Sequence, residues 1–172
     1  MVGLLFFRKF RYVDGMVKIK TSLAYRTAAP KTNHSGPHAT VVLLHGRGAD
    51  ENDLLGLAEY LDPRLLILSV RAPFRFPSGG YAWYEVLEVG KPESGQFAES
   101  YDRLVQFLSD MRRELPVDSN KLFLLGFSMG SMMSYALALT KPHEIAGVIA
   151  HSGYIPEATQ LRFLWNELEG TS

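Results

Sequence analysis

The sequence contains no cysteine. That absence excludes a disulfide framework, zinc–thiolate sites and a cysteine nucleophile, while saying little about compartment. Neither sign of charge is in excess: 18 Lys+Arg balance 18 Asp+Glu over 172 residues. A balanced chain lacks the electrostatic footprint of a nucleic-acid or anionic-lipid binder, so neither partner is expected. No apolar run approaches the ~20 residues that cross a bilayer. Leu4-Leu5-Phe6-Phe7 is followed at once by Arg8, Lys9 and Arg11, and is too short for a signal h-region. The expectation is a cytoplasmic protein without a membrane span. Phosphate fingerprints are missing as well, with neither G-x-x-x-x-G-K nor a full G-x-G-x-x-G present. There is no H-E-x-x-H and no His/carboxylate cluster at ligand spacing, so no metal and no cofactor are expected. One further absence is positional: no Asp follows Ser128.

What remains is ordinary globular material, 47% apolar and 21% charged, of about one domain's length. Residues 1–15 read as an extension ending at the turn-forming pair Asp14-Gly15, and residues 16–172 as one domain. From Met16 the pattern alternates: Val17, Ile19, Leu23 and Tyr25 on one parity, with Lys18, Lys20, Ser22 and Arg26 on the other. Period two predicts a half-buried strand near a sheet edge. Residues 28–38 read as a polar loop in which His34 and His38 are solvated. Continuous apolar runs follow at residues 40–44, 65–70, 122–125 and 145–150, as in strands covered on both faces.

Helical patterns lie between these runs. Residues 50–61 carry acidic groups in their first turn, where they favour the helix dipole. Phe97, Tyr101, Leu104, Leu108, Met111 and Leu115 recur at helical spacing, the clearest amphipathic stripe in the chain. Residues 129–139 suit a buried helix, and residues 158–170 an amphipathic one. Buried strands alternating with helices predict an α/β domain: a mostly parallel sheet with helices on both faces.

Gly126-Phe127-Ser128-Met129-Gly130 fits G-x-S-x-G, a weak signal alone. Its context is specific, because it directly follows a buried strand and opens a helix. There the serine sits on a strained turn, with helix-terminal N–H groups beside it. A second glycine-rich turn, His45-Gly46-Arg47-Gly48, ends the earlier strand at residues 40–44. Acyl transfer needs two donors aimed at the oxygen that becomes negative. The backbone N–H of Met129, next after the serine, is one candidate; that of Arg47 is the other.

Together with Arg71-Ala72-Pro73, Gly80-Tyr81-Ala82-Trp83-Tyr84 and Ser152-Gly153-Tyr154-Ile155-Pro156, these segments resemble the phospholipase/carboxylesterase family of α/β-hydrolases, from about residue 38 to residue 156. That family includes bacterial carboxylesterases and acyl-protein thioesterases. The resemblance implies a Ser-His-Asp hydrolase of small-molecule esters or thioesters, with Ser128 as nucleophile. It also implies that Trp83 binds substrate in the acyl or alcohol pocket; packing in the core is the alternative for this residue.

The chemistry needs a histidine to take the serine proton and a carboxylate to orient it, in the chain order Ser, acid, His. After Ser128 the histidines are His143 and His151, and the carboxylates are Glu144, Glu157, Glu167 and Glu169. His143 and Glu144 precede a strand and so belong at the wrong end of the sheet, since active sites occupy the carboxyl ends. His151 lies at the correct end but precedes any candidate acid. The resemblance implies further strand–helix units beyond Ser172 that carry both groups. Two readings follow: a serine (thio)esterase impaired for want of acid and base, or a non-catalytic acyl-ligand or protein-binding module on the same scaffold. The strand at residues 145–150 would then be an apolar sheet edge, a candidate surface for a homodimer.

Overall fold

A computed structural model of the chain describes residues 19–32, 36–88, 91–156 and 159–168. The expected extension at 1–15 lies outside these residues. Among the described residues the alternating segment forms strand β1 at Tyr25–Ala28, where it pairs antiparallel with β3 at one edge of the sheet. Leu23 and Ile19 pack against the core ahead of it without strand pairing. The continuous runs become β2 (His38–Leu44) and β3 (Leu66–Val70). His38, expected in a solvated loop, is buried as the first residue of β2. Two small hairpins follow: β4 (Phe74–Arg75) with β5 (Tyr81–Ala82), and β6 (Val86–Glu88) with β7 (Lys91–Pro92). The amphipathic stripe becomes α1 (Ser94–Glu114), started by the Glu93 carboxylate accepting from the Gly95 and Gln96 amides. Strand β8 (Val117–Phe127), helix α2 (Met129–Thr140) and strand β9 (Gly147–His151) complete the order.

The main sheet runs β1-β3-β2-β8-β9, and all pairs but β1–β3 are parallel. Alternation along β2 explains why its run is unbroken. Val42 and Leu44 face the core beneath α1 and α2, whereas Val41 and Leu43 face the opposite side. Both α-helices therefore lie on one face. The other face is covered by Leu54, Leu55, Ala58 and Leu61, from a segment that forms only a 3-10 turn at Leu54–Glu59. The α-helix expected over 50–61 is not formed. The Asp50 side chain accepts from the Asn52 N–H at 2.8 Å. The backbone bonds that follow, Asp53 to Asp50, Leu55 to Asn52 and Tyr60 to Leu57, reach back three residues and not four.

Of the amphipathic helix expected over 158–170, the described residues 159–168 form a 3-10 turn, Trp165–Glu167. Here the Leu164 N–H donates to the Leu139 carbonyl at 2.7 Å, so the segment closes the open end of α2 instead of coiling on itself.

Among the described residues β9 pairs only with β8 and forms the second sheet edge, and its Ile149 is 59% exposed. Unpaired strand edges with apolar side chains promote self-association. Ile149→Lys is expected to lower the concentration-dependent mass seen in sedimentation while leaving the unfolding midpoint nearly unchanged. An unaltered mass distribution would show that this edge does not associate.

Candidate active site

The parallel register fixes where the two glycine-rich turns meet. Leu44 of β2 is opposite Gly126 of β8, so the segments leaving both strands emerge side by side at the carboxyl end of the sheet. Ser128 stands at the corner between β8 and α2 with φ 53° and ψ −115°. A non-glycine residue held there stores about 1–3 kcal/mol of backbone strain, which surrounding contacts must offset. Several contacts do so. The Ser128 N–H donates to the His151 carbonyl at 2.9 Å, tying the corner to the end of β9. The Ser131 hydroxyl bridges the carbonyls of Gly126 and His151 at 2.7 and 2.8 Å.

The flanking glycines are required by close approach. A Cβ at Gly126 would lie 2.5 Å from the Ser131 nitrogen, and one at Gly130 would lie 2.5 Å from the Leu44 carbonyl carbon. The chain can thus turn the corner and press α2 against the end of β2 only with hydrogen at both positions. Ser128 is partly exposed, and Met129 behind it is buried. As the first residue of α2, Met129 has no intrahelical acceptor for its N–H.

The turn after β2 is held from three sides. Gly48 donates to the Tyr81 carbonyl, and Tyr81 to the Ala49 carbonyl, both at 2.8 Å. Ala49 donates to Gly46, leaving the Arg47 N–H as the turn amide between Gly46 and Gly48 with no backbone acceptor among the described residues. From below, His45 Nε2 accepts from the Ala72 N–H at 3.0 Å, which places the ring proton on Nδ1 facing the Gly46 carbonyl at 2.7 Å. Burial pushes the His45 pKa down, consistent with a neutral ring engaged at both nitrogens.

Trp83 is completely buried. Its indole N–H donates to the His45 carbonyl at 2.9 Å, and its own carbonyl accepts from the Ser100 hydroxyl. Trp83 thus supports the turn from the core side, and the cavity beside that turn has Ala82 and Tyr84 in its wall.

On the third side Arg71, of the Arg71-Ala72-Pro73 segment, pairs with Glu51. Glu51 is 4% exposed, and its carboxylate accepts two hydrogen bonds from the Arg71 guanidinium, each 2.5 Å. Arg71 also donates to the Tyr81 hydroxyl at 3.2 Å. The pair couples the turn after β2 to the end of β3 and to the β4–β5 hairpin. The hydrogen bonds from Arg71 hold the Glu51 carboxyl below its ordinary value of 4.5. Its stabilisation is thus fully present above that value and lost as pH falls through the depressed folded one. A double-mutant cycle of Glu51→Gln and Arg71→Gln is expected to give a coupling of about 1–2 kcal/mol in urea unfolding, the modest value reflecting the part-exposed Arg71. Glu51→Gln should also flatten stability across the carboxylate range. Additivity of the two substitutions would dismiss the clamp.

The two histidines after Ser128 are engaged elsewhere, and His34 lies outside the described residues. His143 lies opposite Glu167 at 3.0 Å, beside the amino end of β9. His151 stacks on Phe127 with centroids 5.6 Å apart, and its Nδ1 meets the Ser152 hydroxyl at 2.9 Å. Among the described residues no group of three His, Asp or Glu side chains gathers as metal ligands, and no helix is long and apolar enough to cross a membrane.

The fold of the chain is shared with known proteins. The model of the phospholipase/carboxylesterase family matches residues 26–168. The chain belongs to that family. It resembles acyl-protein thioesterase 1 of Candida albicans (25% identity over 81% of this chain and 67% of the relative) and that of Cryptococcus neoformans (29% identity over 79% and 61%). Among solved structures, the Bacillus cereus carboxylesterase superposes with a TM-score of 0.70 at 26% identity, covering 82% of this chain and 64% of that one. This carboxylesterase-family chain has the α/β-hydrolase fold, and spans 47% to 67% of the length of the curated relatives it matches.

Proposed function

We propose that the chain carries the nucleophile and oxyanion half of a serine (thio)esterase site, with residues 16–172 as one hydrolase domain behind an extension at 1–15. The observation that carries this reading is Ser128 at positive φ on the corner between β8 and α2. In the proposed reaction the Ser128 oxygen attacks the carbonyl carbon of a carboxylic ester or thioester. The displaced electron pair goes to the carbonyl oxygen, which the N–H groups of Arg47 and Met129 stabilise. Each such donor contributes on the order of 3 kcal/mol in the transition state. Collapse expels the alcohol or thiol, and water then releases the acid. Trp83 and His45 act as positioning residues that hold the Arg47 turn.

The serine proton needs an acceptor, and here the proposal includes impairment. His45 and His143 are engaged as described, His151 faces Phe127 and Ser152, and the sequence has no Asp after Ser128. Prolonged exposure to a fluorophosphonate followed by peptide mapping tests the assignment. A single adduct on Ser128, absent from Ser128→Ala, is expected; an adduct on Ser131 or Ser152 instead would contradict it.

The same engaged histidines favour a second reading, a non-catalytic acyl-ligand or protein-binding module. Ligand affinity retained in Ser128→Ala, with no adduct on the parent chain, would select it.

A further inference from the structure

Helix α2 carries Ser131, Ser134 and Thr140, and each donates its hydroxyl to backbone carbonyls. Two of them bond back within their own helix, Ser134 to the Gly130 carbonyl at 2.8 Å and Thr140 to the Ala136 carbonyl at 2.6 Å. That bond to the fourth residue back is the ordinary choice of such a side chain inside a helix. Ser131 does otherwise. Its hydroxyl leaves the helix for the Gly126 carbonyl of β8 and the His151 carbonyl at the end of β9. A hydroxyl has one proton, so the two carbonyls share it, at 2.7 and 2.8 Å.

The surroundings fix this side chain in place. Ser131 is completely buried. A Cβ at Gly153 would collide with the Ser131 Cβ and lie 3.1 Å from the Ser128 carbonyl oxygen. Gly153 is not among the glycines with positive φ, so close packing and not backbone conformation calls for glycine there. The His151 carbonyl that accepts from Ser131 also accepts from the Ser128 N–H at 2.9 Å. The strained residue and its clamp therefore meet at one oxygen. A serine at φ 53° keeps that conformation only while such contacts over-determine it.

We infer that Ser131 is a positioning residue for the nucleophile: by pinning the end of β9 to the corner, its hydroxyl keeps Ser128 in the strained conformation from which it reacts. The inference rests on the serine-esterase reading for the word nucleophile, but the pinning itself needs no reaction. Ser134 supplies a matched comparison, since it is equally buried on the same helix and its bond stays inside that helix.

The test compares Ser131→Ala and Ser134→Ala in the full chain by two readouts. In Ser131→Ala, hydrogen–deuterium exchange of the Ser128 amide, followed by NMR, should quicken roughly tenfold, the factor one hydrogen bond is ordinarily worth. Fluorophosphonate modification of Ser128 in imidazole buffer should slow by roughly the same factor. Ser134→Ala should leave both readouts within about twofold of the parent, although each variant loses one buried hydrogen bond and a similar part of its urea midpoint. Labelling of Ser131→Ala at or above the parent rate would overturn the inference. So would quickened exchange spread evenly along α2, the mark of a merely structural role. The two proposals separate cleanly. No adduct on the parent, with Ser128 exchange quickened by Ser131→Ala alone, removes the esterase reading and keeps the pinning. A parent adduct, with neither readout changed by Ser131→Ala, does the reverse.

Discussion

Gly130→Ala is expected to yield little or no folded protein. The added methyl would meet the Leu44 carbonyl and lie 2.9 Å from the His45 carbonyl oxygen, and both are backbone atoms of the central strand β2 or its exit. No side-chain rotation relieves such a clash. Either α2 must withdraw from the sheet or the β2–β8 pairing must break. Retreat of α2 uncovers Met129, Met133, Ala136 and Leu137, which are all buried. Overpacking of this kind ordinarily costs 1–3 kcal/mol where side chains can move, and more where they cannot, against a total stability of about 5–15 kcal/mol. Gly56→Ala is the control, since nothing lies within 4 Å of a Cβ there. Soluble yield and the urea midpoint separate the outcomes. A Gly130→Ala protein as stable as the Gly56→Ala protein would mean that α2 does not press on β2 as described.

The second large effect concerns turnover. The 172-residue chain is expected to hydrolyse an activated aryl ester about 10⁶-fold more slowly than a hydrolase with an intact triad, roughly 8 kcal/mol of barrier. The decisive feature is non-additivity. When a serine has no base, removing the serine as well changes little, because the residual rate comes from binding and the oxyanion donors. Ser128→Ala is therefore expected to reduce the remaining rate by less than about tenfold. A drop of several orders of magnitude would show that a base acts on Ser128 after all, and His151 would be the first residue to substitute.

Much of this architecture can be read from residue order. Unbroken apolar runs marked β2, β3, β8 and β9, and the stripe from Phe97 to Leu115 marked α1. The serine corner was legible because its pentapeptide lies between such a run and a helix. The misread segments are those where a local hydrogen bond or a distant partner decides the outcome. The segment at 50–61 carries the acidic start and apolar spacing of an α-helix yet bonds back three residues, a difference its apolar pattern does not encode. The segment around Leu164 is governed by the Leu139 carbonyl, which no pattern near residue 164 announces. The Glu51–Arg71 clamp was invisible for the same reason: its partners are 20 residues apart, and only the sheet brings them together. Trp83 is ambiguous in sequence, since an indole suits both a pocket wall and a core strut, and its hydrogen bond to the His45 carbonyl could not be read from residue order.

We propose that Ser128 is a nucleophile for which none of the described histidines is placed as proton acceptor. The rate of fluorophosphonate modification of Ser128 as a function of added imidazole, with Ser128→Ala as the blank, tests this. Slow modification in plain buffer that rises in proportion to free imidazole and maps to Ser128 alone is expected. Rapid labelling without imidazole, or no acceleration at any concentration, would overturn it.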